Sequence, residues 1–288
     1  MNVSTNDIFT VITLYNVCLE QSVAYKSLTV SLKEHFQGNI AKKQSLLVYD
    51  NSKYIQPISE SCYWNIIYVH DPSNPGVSKA YNTGAGMALS QKKKWLLIVD
   101  QDSDFPASTY TTIQTSLGNY PNIKLFAPIL KSSNGIISPC IYKFKRGFAP
   151  KSIQPGVVSL HKYSPVNSGL TIALDLFNEV SGYNEKIRLD FSDFYFIDKV
   201  KENIDSFVIM NLYCEHSLSG EDMAESAANV NRFRTYCQGA RLSVNSYQDY
   251  FTLFIITLLR ACKLTLKSRN IVFLLIFFKC YILRTRAF

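Results

Sequence analysis

Four short apolar runs, separated by helix-like stretches, constrain the fold of this chain more than any other feature. IFTVITLY (Ile8–Tyr15), SLLVYD (Ser45–Asp50), WNIIYVH (Trp64–His70) and WLLIVD (Trp95–Asp100) have the length and the β-branched or aromatic content of buried strands. Between them, Gln21–Phe36 reads as a helix with Val23, Leu28 and Leu32 on its apolar face, and Ser78–Leu89 as a helix of small residues. Alternation of this kind implies an α/β, doubly wound, mostly parallel sheet flanked by helices. Ligands of such sheets sit at the carboxyl ends of the strands, where the polar turns DNS, DPSNPG and DQDSD all fall.

Further along, residues 132–164 lack periodicity and read as surface loops and short strands. Pro165–Glu185 restores order, with a strand through Thr171–Ala173 and a short helix closed by Gly182. Ile187–Glu202 reads as a loop feeding an acid-bearing helix that begins near Phe194.

Charge divides unevenly along the chain. From Arg241 to Phe288 there are eight Lys/Arg and one acid, Asp249, whereas the remainder holds 22 basic and 21 acidic residues. A nucleic-acid binder would carry its basic surface more broadly, so none is expected as a partner. Two units follow: residues 1–240 as the α/β domain and 241–288 as a helical basic and apolar tail. The tail's apolar runs, Phe251–Leu259 and Ile271–Phe278, are shorter than the ~18–20 residues a spanning helix needs. Basic residues around Leu/Phe-rich runs suit helices lying on an anionic leaflet; the alternatives are packing on the α/β domain or a homo-oligomer interface. The stretch MNVSTNDIFT has no basic n-region and no apolar h-region, so no secretory signal is expected. Seven scattered cysteines without a C-x-x-C pair fit reduced thiols in a cytoplasm.

Asp100 and Asp102 follow the most apolar of the strands and lie two residues apart, on one side of the backbone if it stays extended. Their hard oxygens suit Mg²⁺ or Mn²⁺ shared with substrate phosphates. A plain solvated turn capping the next helix would use the same residues.

Five blocks in order resemble the inverting glycosyltransferases of family 2, with the GT-A fold, over roughly residues 8 to 220. VITLYN resembles the family's opening strand, and VYDNS the loop that contacts base and ribose. NPGVSKAYNTGAGMAL is similar to the element beside the nucleotide, LLIVDQDS to the D-x-D segment of the rhamnosyltransferase-like branch, and NSGLTIALDLFNEVSGYNEKIRLDFSDFYF to the acceptor-side block. The resemblance implies nucleotide-sugar contacts at Thr13, Tyr15, Asn16, Asp50, Asn51, Ser52, Asn74, Gly76, Lys79, Asn82, Asp100 and Gln101. It implies metal ligation by Asp100, Asp102 and a late histidine, His216, and acceptor contacts at Asn167, Ser168 and Gly169. The usual E-D pair before the catalytic helix is Ser192–Asp193 here, which leaves Asp193 as the matching base and Asp190 as its rival. Asp193 lies among Phe191, Phe194 and Tyr195, an apolar setting that raises a carboxylate pKa. Either acid would equally serve as a helix cap.

The expectation is a metal-dependent inverting transferase on the cytoplasmic face of the membrane. It would move a sugar from dTDP-rhamnose or a UDP-sugar to a saccharide or polyprenyl-linked saccharide in bacterial surface polysaccharide synthesis. The alternatives are a nucleotidyltransferase, whose Gly-rich basic amino-terminal loop VITLYNVC lacks, and a non-catalytic sugar-binding scaffold.

Overall fold

The computed structural model describes residues 4–37, 43–216 and 227–283. The four expected strands form as β1 (Ile8–Leu14), β2 (Gln44–Asp50), β3 (Trp64–His70) and β4 (Trp95–Asp100). Every residue of β1 and β2 is buried, the signature of central strands covered on both faces. β1 pairs in parallel with both β2 and β4, and β2 with β3.

Alternation of side chains along β1 divides the core in two. Phe9 and Val11 face α2 (Val77–Ser90), while Ile8 and Ile12 face α1 (Val23–His35) and α3 (Thr109–Asn119). In α1 the buried positions are Ala24, Leu28, Ser31 and Leu32; Val23, expected on that face, is exposed.

Beyond β4 the chain adds β5 (Ser103–Asp104), β6 (Leu125–Ser132), β7 (Gly135–Ser138), β8 (Cys140–Lys143), β9 (Arg146–Phe148), β10 (Gly156–Ser159), β11 (Tyr163–Ser164), β12 (Leu170–Ala173) and β13 (Ser206–His216). The main sheet runs β10-β13-β6-β12-β4-β1-β2-β3, with β12 antiparallel between β4 and β6, and β13 parallel to β6. A second, small antiparallel sheet, β11-β8-β9, stands beside it. Two helices complete this part: α4 (Leu174–Glu179) follows β12, and α5 (Ser192–Val200) carries Asp193 in its first turn.

The carboxyl-terminal region forms α6 (Ala227–Leu242), α7 (Tyr247–Ser268) and α8 (Val272–Ile276), the last running on as π-helical turns Phe277–Ile282. Residue 240, where a division was expected, falls inside α6. These helices share a third apolar core with Ile187 and Phe191 of the loop before α5. The join is close: a Cβ on Gly239 of α6 would lie 2.6 Å from the Asp190 carbonyl oxygen. Lys145, in the β8–β9 turn, adds a charged tie, 3.0 Å from Asp198 of α5 and 3.3 Å from Asp249 of α7. Among the described residues, no helix is long and apolar enough to cross a membrane.

Candidate active site

The parallel register brings three strand ends level, with Leu14 beside Asp50 and Thr13 beside Asp100. Asp50 is fully buried, yet it accepts from the Ser52 amide (2.9 Å), Gln56 Nε2 (2.7 Å) and the Tyr68 hydroxyl (2.8 Å). Burial works to raise its pKa, but these hydrogen bonds outweigh it and hold the carboxyl below its ordinary value. Gln56 also accepts from the Leu19 amide (2.7 Å) and donates to the Val17 carbonyl (3.2 Å), tying the loop after β1 to the loop after β2. The Asn16 amide donates to Ser52 Oγ (2.8 Å), and the Gln101 side chain brackets the Tyr15 peptide from both sides. Asn51 Oδ1 is buried with no hydrogen-bond partner among the described residues, an acceptor that a ligand N–H or O–H would satisfy.

Asp100 closes β4 with its side chain on the α2 face, where the Tyr81 hydroxyl donates to it at 2.8 Å. Burial pushes the Asp100 carboxyl up, and the Asp102 charge adds to this; Tyr81 and His216 oppose it. The backbone turns at Gln101–Asp102, so the extended geometry expected for the D-x-D pair is not kept. Pairing of β5 with the end of β13 sets His216 opposite Ser103. His216 Nδ1 is then 2.8 Å from Ser103 Oγ and 3.6 Å from Asp102 Oδ1. Ser103 shares a 2.6 Å hydrogen bond with Ser168, whose hydroxyl accepts from the Asp100 amide at 3.1 Å. One connected polar cluster therefore joins Asp100, Asp102, Ser103, Ser168 and His216.

Asn167 and Ser168, expected to touch an acceptor, are buried and bonded within the protein. Asn167 accepts from the Tyr183 hydroxyl (2.8 Å) and lies 3.4 Å from Ser192 Oγ. Gly169 takes a positive φ of 80°, and a Cβ there would sit 2.5 Å from Pro128. Asn74 also has positive φ, and a Cβ on Gly76 would come within 2.1 Å of the Arg188 carbonyl oxygen. That contact presses the start of α2 onto the loop leading to Asp190. Lys79 pairs with Glu185 at 3.2 Å, and Asn82 bonds Tyr183 and Glu185, so both side chains brace the 183–185 turn.

Asp193, in the first turn of α5, is near enough to Tyr183 for its charge to reach that hydroxyl. Burial raises its carboxyl to about 6; the Phe194 amide opposes the rise, while the charges of Asp100 and Asp190 add to it. Tyr183 stacks on Phe196 at 4.0 Å and meets Tyr81 edge-on at 5.1 Å. An aromatic layer thus spans from the Asp100 ligand to the helix of Asp193. Asp190 differs: its Oδ1 lies 4.0 Å from the Arg232 guanidinium, and its Oδ2 is buried without a hydrogen-bond partner among the described residues.

Hard carboxylates at Asp100 and Asp102 with an imidazole beside them fit a divalent cation that draws its other ligands from phosphate and water. Among the described residues, no three His, Cys, Asp or Glu side chains, Asp100, Asp102 and His216 included, converge as a ready metal cage. Sequence reasoning missed Gln56, Tyr81 and Tyr183. Gln56 lies in an irregular loop and gives no signal; Tyr81 and Tyr183 read as core aromatics until their hydroxyl partners are seen.

A curled, mostly parallel sheet flanked by helices, with polar loops gathered at its carboxyl edge, is consistent with a GT-A-like fold. Solved structures agree. The chain is similar to S. aureus TarS, residues 1–349, in complex with UDP, at a TM-score of 0.52 and 14% identity, covering 89% of this chain and 72% of that one. The same protein in complex with UDP-GlcNAc matches at a TM-score of 0.51 and 16% identity, with the same coverage. At these identities the likeness is one of fold. No protein-family model matches the chain, and no curated protein matches it in sequence.

Proposed function

We propose that this chain is an inverting, metal-dependent glycosyltransferase that moves a sugar from a nucleotide-sugar donor to a saccharide or lipid-linked saccharide acceptor. The observation that carries the reading is the pairing of two half-buried aspartates across an aromatic layer, Asp100 at the nucleotide edge and Asp193 raised to about 6. UDP and UDP-GlcNAc in the TarS structures favour a uridine diphosphate donor over dTDP-rhamnose. Seven free cysteines suit a cytoplasmic setting, and surface polysaccharide synthesis is the process we propose for it.

In this reading Asp50, Asn51, Ser52 and the 13–16 strand end receive the nucleoside, with Gln56 and Gln101 keeping the two loops in place. Asp102, with Asp100 and His216 beside it, would hold Mg²⁺ or Mn²⁺. When bound, the ion supplies positive charge against the diphosphate. Asp193, as carboxylate, takes the proton of the acceptor hydroxyl while the acceptor oxygen bonds to the anomeric carbon from the face opposite the leaving group. The bond from that carbon to the diphosphate oxygen breaks, and the nucleoside diphosphate leaves with its electron pair. Tyr183, Phe196 and Tyr81 keep water from the underside of both acids.

Calorimetry with UDP and dTDP, with and without Mn²⁺, tests the reading. Metal-dependent binding of one nucleotide is expected, lost in Asp102→Ala and kept in Asp193→Asn. Unchanged Mn²⁺-dependent binding in Asp102→Ala would overturn the metal assignment, and no nucleotide binding at all would overturn the transferase.

A further inference from the structure

Helix α7 has two apolar faces. Leu253, Thr257 and Ala261 are buried against α6 and α8, as packing of the bundle requires. Phe251, Ile255, Leu259 and Leu266 are instead exposed, Phe251 at 64% and Leu266 at 80%. At about 100° per residue these four span roughly 80° of arc, on the side away from the buried set. The following helical segment repeats the pattern, with Leu275 and Phe278 each 50% exposed. Large side chains on isolated surface sites are ordinary, but a stripe continued over two helices marks a contact surface.

Charge selects what covers it. From Tyr250 to Phe288 the sequence contains no Asp or Glu, and exposed Lys263 and Arg269 border the apolar stripe. A second copy of the chain meeting it along this face would set Lys263 and Arg269 against like charges, since the segment itself supplies no carboxylate side chain. An anionic bilayer satisfies both halves of the surface: acyl chains take the apolar stripe and headgroups take the cations.

We infer that the outer face of α7 and of the segment after it docks in the plane of an anionic lipid bilayer. The bundle that presents this face is built on Ile187 and Phe191, so docking anchors the loop that leads to Asp193. The inference goes beyond the transferase reading and does not depend on it, because binding to lipid needs no donor.

Flotation of the full chain, without nucleotide, on phosphatidylglycerol/phosphatidylcholine vesicles and on phosphatidylcholine alone tests this. Flotation is expected only with the anionic vesicles. Lys263→Gln combined with Arg269→Asn, the asparagine suiting the positive φ of 50° there, should weaken partition roughly 30-fold. Phe251→Ser/Ile255→Ser/Leu259→Ser should abolish flotation while leaving the melting temperature and the sedimentation coefficient unchanged. Absence of flotation on anionic vesicles would overturn the proposal. So would a dimer that the serine variant splits, which would make the face an interface between copies.

Discussion

As the proposed general base, Asp193 meets two opposed demands at one position. A general base works best with a pKa near the pH of the medium, and burial supplies that by moving the carboxyl to about 6. The same burial penalises the folded protein, because its charged form is less at ease there than in the unfolded chain. The folded state binds the proton more tightly, so this group's contribution is harmless below the unfolded pKa near 3.8 and becomes a cost as pH rises to about 6. Asparagine keeps an oxygen for the Phe194 amide and removes the charge. Asp193→Asn should therefore unfold with a free energy roughly 1–3 kcal/mol higher than the parent at pH 7.5, the gap closing below pH 4. Urea titrations at the two pH values measure it; an equal or lower stability at pH 7.5 would remove the desolvation argument. Activity should move the other way, turnover falling roughly 10²–10⁴-fold. In the parent, kcat/KM should decline about tenfold per pH unit below pH 6, as the base becomes protonated. The acids themselves were legible in the sequence, since polar residues after an apolar strand, and an aspartate among aromatics, stand out. Their surroundings were not: Tyr81 and Gln56 act through partners 19 and 6 residues away in sequence, brought to them by tertiary packing.

At the scale of elements, α2 shows how a small-residue helix serves the site. Gly84 lies against β1, where an added Cβ would meet Val11 Cγ2 at 2.2 Å, whereas Gly86 faces open space. Closeness at Gly84 lets α2 seat Tyr81 under Asp100. Alanine should act oppositely at the two positions. Gly86→Ala should stabilise by about 0.5–1 kcal/mol through helix propensity alone. Gly84→Ala should destabilise by roughly 1–3 kcal/mol through overpacking on Val11. Chemical denaturation of the pair checks this, and equal effects would mean that α2 is not pinned to β1. The strands β1 to β4 were readable because each is a continuous apolar run bounded by polar turns. Strands β6 and β13 went unread. Pro128 interrupts the pattern of the first, and exposed Asn211, Tyr213 and Glu215 blur the carboxyl half of the second. Without β13, the family resemblance alone suggests that His216 stands beside Asp102; the strand pairing at β5 supplies the physical reason.

Over the whole molecule, the carboxyl-terminal helices are joined to the sheet domain through shared burial rather than trailing from it. Ile187 and Phe191 belong to the third core, Gly239 rests on the Asp190 carbonyl, and Lys145 holds Asp198 and Asp249 together in a largely buried setting. Opening the bundle alone would expose Phe233, Phe273 and Phe277 and leave the Asp249 carboxylate without Lys145. That cost couples the two parts, so they should unfold as one cooperative unit. The cysteines report on it from both sides. Cys18 and Cys62 are exposed, Cys140 and Cys214 are buried in the sheet region, and Cys237 and Cys280 are buried in the bundle. In a urea series with a thiol-reactive probe, Cys18 and Cys62 should label in the native protein. The four buried cysteines, leaving aside the half-buried Cys262, should become reactive together, at one midpoint that coincides with loss of circular dichroism. Replacing Lys145 with methionine, which keeps the aliphatic stem and removes the ammonium, should bring the Cys237 and Cys280 midpoint below that of Cys140 and Cys214. Separate midpoints in the parent would show that the bundle is an independent unit, and that the contacts at Ile187, Phe191 and Gly239 contribute little to holding it.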